Sequence, residues 1–330
     1  MRPIKKILVP TDFSNDANNA CSLAQNLAEM YGAKVDLLHV IPLIQYFNES
    51  IQRLGTPLDM EKDVYPRVRK ESEQQLQNQM DDYLHENNKG HFIVNIDRKP
   101  SKNIIEEANA SGYDLIVIGA KGSHETEMLK GSITEKVIRY SNVPVFVATD
   151  SASLDNIKRI MVPTDVSEIS LLSLPIAAQM ARYFNAEIVL FHVLELYGTL
   201  SENIPREFGT TEEVTIYHRL LKEIKKIIPD IFREEVEVES GNEPFSDYLV
   251  VKQDNNVDRI HLKTVIKKGV NAHYEIENYA PDNADLLVMS THGHSGLAHF
   301  FLGSTTEKVA QHVDIPTLTI RPQKKHLKAK

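Results

Sequence analysis

Two glycine-containing segments, each leading into a predicted helix, have the residue types and spacing to bind a phosphate. The first is Gly119-Ala-Lys-Gly122, then eight residues, then Gly131-Ser132-Ile133-Thr134. The second is Ser290-Thr-His-Gly293, then nine residues, then Gly303-Ser304-Thr305-Thr306. Glycines let backbone N–H groups converge on an anion, and a helix N-terminus adds unpaired N–H groups and a partial positive charge. Each segment alone could be a glycine turn with an N-capping serine, but recurrence after the same strand favours phosphate binding.

Two further elements recur at strand ends in both halves. The first strands end in Pro10-Thr11-Asp12 and Pro163-Thr164-Asp165, and the second strands end in His39-Val40 and His192-Val193. Asp12 and Asp165 could accept hydrogen bonds from a sugar hydroxyl or a base amine, or could instead prepare the start of the next helix. A histidine on a buried strand is more often a hydrogen-bonded core residue than a ligand.

Several common site types are excluded or disfavoured by the sequence. There is no G-x-x-x-x-G-K-[ST] and no G-x-G-x-x-G after a first strand, which argues against a P-loop ATPase, a kinase and a dinucleotide dehydrogenase. Three histidines crowd the second glycine segment, but no cysteine accompanies them, so a phosphate-side polar role is favoured over zinc. They are His292, His294 and His299.

The elements that must position these residues occur twice, because the chain is an internal duplication. Residues 5–40 align with 158–193 without a gap at an offset of 153, and residues 113–149 align with 284–320 at an offset of 171, rising to 172. Apolar runs without strict alternation, separated by helical stretches, are typical of parallel strands buried on both faces. We therefore predict two tandem α/β domains, 1–150 and 151–330, each a doubly wound five-stranded parallel sheet.

The second half carries 18 additional residues in its middle, since 171 exceeds 153 by that number. We place this insertion near 229–258 and expect its REEVEVES and DYLVVKQ runs to pair as a hairpin. Helix starts are predicted at Ser14, Ser101 and Ser167, each a plausible N-cap.

The composition argues against several classes of protein. The 330 residues carry 37 basic and 46 acidic side chains, a net charge of −9, and the only basic cluster is a C-terminal tail, so nucleic-acid binding is not expected. No apolar run reaches membrane length, so we expect a cytoplasmic protein without a membrane segment. The single cysteine, Cys21, cannot form an internal disulfide and is expected in the core.

Together these motifs resemble the universal stress protein family over nearly the whole chain, twice. Members begin with a strand running into a Pro-x-Asp turn and end with G-x2-G-x9-G-[ST] and a final strand led by a proline, here Val143-Pro144 and Ile315-Pro316. In ATP-binding members the glycine pattern holds phosphates and ribose, the aspartate lies near the adenosine, and the strand-two valine backbone binds adenine. The resemblance thus implies candidate nucleotide-binding residues Asp12, Val40, Gly119, Gly122, Gly131, Ser132 and Ile133 in half one, and Asp165, Val193, Ser290, Gly293, Gly303, Ser304 and Thr305 in half two.

Both halves depart from the family pattern. Half one has eight residues in the long gap and places Glu125 and Glu127 where phosphates would lie, whereas half two keeps nine residues but has Ser290 for the first glycine. Half two is therefore the expected site.

The function that the resemblance implies is a stress-response or regulatory module that binds ATP, with Mg²⁺ shared between phosphates and water. No residue stands out as a general base, so hydrolysis should be slow or absent. A non-nucleotide scaffold with degenerate loops is the alternative. An adenylyl-transferring enzyme is disfavoured, because VPTDFS lacks the extra glycines or lysine it would need. The final strands of the two halves are expected to pair as an intrachain pseudo-dimer, with homodimers also possible.

Replacing Gly303 by valine should abolish nucleotide binding in half two, because a β-branched side chain blocks approach of the backbone to an anion. Isothermal titration with ATP measures the effect, and circular dichroism of the variant checks that it folds. Unchanged affinity would contradict the assignment of this loop.

Overall fold

The structure is a computed structural model that describes residues 4–43, 60–120, 132–149, 156–195, 211–253, 256–291, 306, 308–309 and 312–321. Contacts within the chain divide it into two compact units, with the division between Ala152 and Ser153. Each unit has an α/β architecture with parallel strands and connecting helices, which confirms the predicted fold class.

The first unit is a five-stranded parallel sheet. Its elements are β1 (Lys6–Pro10), α1 (Asn15–Tyr31), β2 (Lys34–Pro42), a π-helical turn (Met60–Val64), α2 (Tyr65–Tyr83), β3 (Lys89–Asp97), α3 (Pro100–Ala110), β4 (Leu115–Gly119), α4 (Ser132–Tyr140) and β5 (Val145–Ala148). The strand order is β3-β2-β1-β4-β5, and every neighbouring pair is parallel. The order reverses at β1, so the carboxyl ends of β1 and β4 flank the crevice where ligands bind in doubly wound sheets.

The second unit repeats this plan and extends it at one edge. Its elements are β6 (Arg159–Pro163), a 3₁₀ turn (Ser170–Ser173), α5 (Leu174–Phe184), β7 (Glu187–Glu195), α6 (Thr211–Ile231), β8 (Glu235–Ser240), β9 (Ser246–Gln253), β10 (Asn256–Gly269), α7 (Ala272–Asn283), β11 (Leu286–Ser290) and β12 (Thr317–Ile320). The strand order is β12-β11-β6-β7-β10-β9-β8. The five strands from β12 to β10 are parallel to their neighbours, as in the first unit.

The insertion forms the two outermost strands of this second sheet. Strands β8 and β9 pair antiparallel, which confirms the predicted hairpin, and β9 also pairs antiparallel with the long strand β10. The insertion therefore adds a meander to the edge strand and leaves the parallel core of the repeat intact.

One of the three predicted helix caps is confirmed and two are not. Ser14 caps α1, because its hydroxyl oxygen accepts a hydrogen bond from the Ala17 N–H. Ser101 is no cap: α3 begins at Pro100, whose fixed φ suits the first helical position, so the serine lies inside the first turn. Ser167 accepts from the backbone N–H of Ser170, but it thereby starts the 3₁₀ turn and α5 begins later.

Cys21 lies on the inner face of α1 and is fully buried, as expected, and its burial raises the pKa of the thiol to about 12. None of the helices in the described part of the chain is long and apolar enough to cross a bilayer.

A buried carboxylate at the start of β2 is specific to the first unit. Asp36 is 3% exposed and accepts hydrogen bonds from the His91 N–H (2.7 Å) and the Tyr113 hydroxyl (2.7 Å). A Cβ on Gly90 would lie 1.9 Å from the Asp36 Oδ1 atom, so glycine is required to admit the carboxylate. The second unit has Val189 at the repeat-equivalent position and needs no such space.

Replacing Gly90 by alanine should lower the free energy of unfolding by about 2 kcal/mol, because the added methyl group overpacks the Asp36 site. The matched control is His91→Ala, which keeps the backbone N–H and changes only an exposed side chain, with an expected effect within about 0.5 kcal/mol. Urea unfolding curves measure both, and equal effects of the two variants would contradict the steric argument.

Candidate functional site

The turn after the first strand is the same in both units, and it lies at the carboxyl edge of each sheet. The Thr11 and Thr164 hydroxyl oxygens accept hydrogen bonds from the backbone N–H groups of Phe13 and Val166, each at 3.0 Å. Phe13 and Val166 have φ angles of 63° and 64°, a left-handed conformation that is uncommon for residues other than glycine. Both units therefore hold the same strained turn above the end of their first strand.

The two candidate aspartates of this turn prepare the start of the following helical segment. The Asp12 Oδ1 atom accepts from the Ser14 N–H at 3.1 Å. The Asp165 Oδ1 atom accepts from the Ser167 N–H at 3.1 Å and from the Ser167 hydroxyl. These contacts support the interpretation that both carboxylates prepare the start of the next helical segment.

The strand-two histidines are hydrogen-bonded partners of the turn. The Nδ1 atoms of His39 and His192 lie 2.8 Å from the carbonyl oxygens of Thr11 and Thr164. Because a carbonyl oxygen only accepts, Nδ1 carries the proton in each ring. Burial lowers the pKa of His192, so this imidazole is neutral at neutral pH. Both histidines are hydrogen-bonded, as predicted, and both are half-buried.

The backbone of Val40 and Val193 is directed toward the space above the turn. The Thr11 N–H donates to the Leu38 carbonyl, so the Leu38 peptide groups face β1, and those of Val40, two residues further, face the same side. Strand β1 ends at Pro10, so none of its residues lies beside Val40. The same argument applies to Val193, because the Thr164 N–H donates to the Phe191 carbonyl.

The first residue of each glycine segment differs between the units for a packing reason. A Cβ on Gly119 would lie 2.8 Å from the backbone carbon and oxygen of Asp16, so the close approach of α1 to the end of β4 requires glycine. In the second unit the 3₁₀ turn replaces the first turn of that helix, and Ser290 occupies the position with 6% exposure. Its Oγ atom is buried without a hydrogen-bond partner among the described residues.

A threonine contact that the sequence reasoning did not assign ties the next helix to the same strand end. The Thr134 hydroxyl donates to the Gly119 carbonyl at 2.8 Å, and the Thr306 hydroxyl donates to the Ser290 carbonyl at 3.0 Å. The sequence feature that could have predicted this contact is the threonine that the GSIT and GSTT segments share. The adjacent candidate Ile133 is 39% exposed and belongs to α4.

The remaining candidates of the glycine loops lie outside the described residues. They are Gly122, Gly131, Gly293, Gly303, Ser304 and Thr305, together with the side chain of Ser132. The loop residues Glu125, Glu127, His292, His294 and His299 lie outside them too. Among the residues that the structure describes, no group of three His, Cys, Asp or Glu side chains could hold a metal ion.

Two arginines contribute positive charge near the carboxyl edge of the second unit. Arg321 follows directly after β12, and its burial lowers the pKa of the guanidinium. The repeat-equivalent residue in the first unit is the buried Thr149. Arg219 on α6 is close enough to His192 to help lower the pKa of that imidazole. Both arginines were missed because single arginines form no motif.

Two copies of one doubly wound α/β unit, with the same turn, histidine and threonine contacts at the carboxyl edge, define a tandem-domain α/β protein. A family model described as the universal stress protein family matches residues 3–149 and again 156–321. The chain therefore belongs to the universal stress protein family, with two family domains.

Related proteins match over the whole chain. A universal stress protein of Mycolicibacterium smegmatis is 23% identical over 321 residues, which cover 96% of this chain and 97% of that protein. The universal stress protein E homolog of Haemophilus influenzae is 23% identical and covers 97% of this chain and 98% of its own length. The similarity thus extends across both units.

Solved structures share the fold. The crystal structure of a universal stress protein from Archaeoglobus fulgidus has a TM-score of 0.56 at 19% identity and covers 96% of this chain and 98% of its own. The crystal structure of a functionally unknown protein from Pseudomonas aeruginosa has a TM-score of 0.55 at 16% identity. The match covers 98% of this chain and 95% of that protein.

Replacing Ser290 by alanine should raise the free energy of unfolding by about 1 kcal/mol, because it removes a buried hydroxyl that has no hydrogen-bond partner among the described residues. The control is Ser170→Ala, which deletes a buried hydroxyl that donates to the Ser167 carbonyl at 2.8 Å and should be destabilising. Thermal unfolding of both variants measures the difference, and a loss of stability in Ser290→Ala would show that its hydroxyl is satisfied.

Proposed function

We propose that this protein is an adenine-nucleotide-binding regulatory module of the stress response, and that the carboxyl edge of its second unit binds ATP. The observation that carries the proposal is the direction of the Val193 peptide groups, which face the space above the Thr164 turn. A backbone donor and acceptor side by side can recognise an adenine edge without any side chain. The half-buried Arg321 at the same edge favours an anionic ligand.

In the proposed complex the adenine contacts the Val193 backbone and the ribose lies toward Asp165. The phosphates lie at the second glycine segment, where Gly293, Gly303, Ser304 and Thr305 supply backbone and hydroxyl donors. Mg²⁺, when present, is held by phosphate oxygens and water, since it binds few protein ligands and keeps several waters.

The second unit is proposed as the competent site for two reasons. It keeps the family spacing in its glycine segment, and it carries Arg321 where the first unit has Thr149. In the first unit the close contact between Gly119 and Asp16 explains the glycine by packing alone.

Slow or absent hydrolysis belongs to the same proposal. The His192 imidazole uses its Nδ1 proton for the Thr164 carbonyl, and Asp165 accepts two hydrogen bonds from Ser167. Because both groups are engaged in hydrogen bonds of the turn, neither is proposed as a general base. The protein is therefore proposed to hold the nucleotide as a signal and to act at most as a weak ATPase.

Two family domains in one chain also fit an intrachain pseudo-dimer. We propose that the two halves form this pseudo-dimer and that the protein is cytoplasmic. Homodimers of the whole chain would be a further level of assembly.

The first experiment is mass spectrometry of small molecules released when freshly purified protein is denatured, followed by titration with ATP. We expect ATP, ADP or AMP near one per chain. An empty protein that also ignores added ATP would replace this proposal with the non-nucleotide scaffold.

A matched pair of variants assigns the site to one unit. Both variants, Asp165→Ala and Asp12→Ala, delete a hydrogen bond from a backbone N–H at the helix start, and Asp165→Ala also deletes the one from the Ser167 hydroxyl, so Asp165→Ala should be the more destabilising of the two. Asp165→Ala should weaken ATP binding about tenfold, because a hydrogen bond to a charged group is lost, whereas Asp12→Ala should leave affinity unchanged. The reverse pattern would move the site to the first unit.

A further inference from the structure

Three side chains at the amino edge of the second unit form a continuous hydrogen-bonded chain that the nucleotide site does not use. The Ser246 hydroxyl lies 2.8 Å from the His261 Nε2 atom. The His261 Nδ1 atom lies 2.8 Å from the Glu187 Oε2 atom. A carboxylate accepts the Nδ1 proton, which leaves Nε2 to accept the proton of the serine hydroxyl. This is the order of groups that activates a serine nucleophile.

Three neighbouring strands hold these side chains on one face of the sheet. Glu187 is the first residue of β7, Ser246 is the first residue of β9, and His261 lies on β10 between them. The register pairs Ser246 with Lys263, two residues from His261, so these three side chains share a face. Regular strands, rather than loops, therefore fix the geometry.

The backbone around Ser246 is unusual at two points. The preceding residue, Phe245, has a φ of 58°, in the left-handed region. A Cβ on Gly241 would lie 2.5 Å from the Ser246 carbonyl oxygen and 3.2 Å from its hydroxyl oxygen, so a glycine keeps space beside the nucleophile. The serine thus follows a residue in the left-handed conformation, its backbone lies close to Gly241, and it is partly exposed.

The arrangement is particular to this half of the chain. At the repeat offset of 153, the first unit has Lys34 in place of Glu187, and the strand that carries Ser246 belongs to the insertion. The triad therefore arises with the insertion and is not part of the duplicated unit.

We propose that Ser246, His261 and Glu187 form a serine-nucleophile site that cleaves small carboxylic esters. The Ser246 oxygen attacks the ester carbonyl while its proton passes to His261 Nε2. The carbon–oxygen bond to the alcohol then breaks, and the alcohol leaves with that proton. Water attacks the acyl-serine, gives its proton to the same nitrogen, and releases the carboxylic acid as the serine recovers its proton.

The charge that develops on the carbonyl oxygen has a cationic neighbour. Lys263 is exposed and lies directly opposite Ser246 in the antiparallel pair, where facing Cβ atoms are about 5 Å apart. Its ammonium group is placed to stabilise an oxyanion or to bind a carboxylate on the acyl group. The site lies on a sheet face rather than in a deep pocket, which suits small or extended acyl groups.

The test is covalent labelling of the intact protein with a fluorophosphonate, which loses fluoride when a serine oxygen attacks its phosphorus, followed by peptide mass spectrometry. We expect a single adduct on Ser246, absent from Ser246→Ala. His261→Gln should slow labelling about 100-fold or more, because it removes the general base. Glu187→Gln should slow it while leaving Ser246 reactive. The matched control is Ser240→Ala, an exposed serine of the same hairpin, which should label normally.

Hydrolysis of p-nitrophenyl acetate provides the second measurement, with an initial burst near one equivalent and an acetyl group on the Ser246 peptide. Melting temperatures of all variants separate chemistry from folding. A hydrogen-bonded chain with only a structural role would lower the melting temperatures of the three variants without any adduct on Ser246. That outcome, or an adduct that survives in Ser246→Ala at unchanged rate, would overturn the proposal. Neither measurement depends on nucleotide binding.

Discussion

A hydrogen bond from an imidazole to the threonine carbonyl after the first strand organises the carboxyl edge of each unit. The bond joins the second strand (β2 or β7) to the turn that follows the first strand (β1 or β6). The threonine hydroxyl accepts from the N–H two residues later, on the residue with the left-handed conformation. The position of the helical segment, the opening above the turn and the direction of the β2 backbone all depend on it. That the same contact recurs in both halves, despite different residues around it, indicates how strongly it constrains the fold.

The repeated apolar runs and intervening helical stretches were sufficient to predict the α/β class and the hairpin of the insertion, because both follow from local pattern. Ser101 was mistaken for a cap because Pro100 competes for the helix start with a covalent constraint. The sequence could not show why position 119 requires glycine, because Asp16 is distant in sequence and only folding brings the two backbones together. The sequence also did not predict the cluster of Ser246, His261 and Glu187, because no spacing rule connects residues on three separate strands.

The two edges of the second sheet have different origins. Its carboxyl edge is inherited from the duplicated unit, with small changes such as Ser290 and Arg321 that adjust polarity. Its lateral edge beside β10 comes from the insertion, which adds two antiparallel strands there. A parallel core buried on both faces tolerates such growth because the added strands pair with the edge and leave internal registers unchanged.

The position of Cys21 determines the reactivity of its thiol. The thiol is the only sulfhydryl in the chain, and it is buried on α1 with its pKa raised to about 12, so it is almost entirely protonated at physiological pH. Peroxides and disulfides react with exposed thiolates, and this side chain offers neither exposure nor negative charge. The single thiol of this universal stress protein is therefore poorly placed to react directly with oxidants.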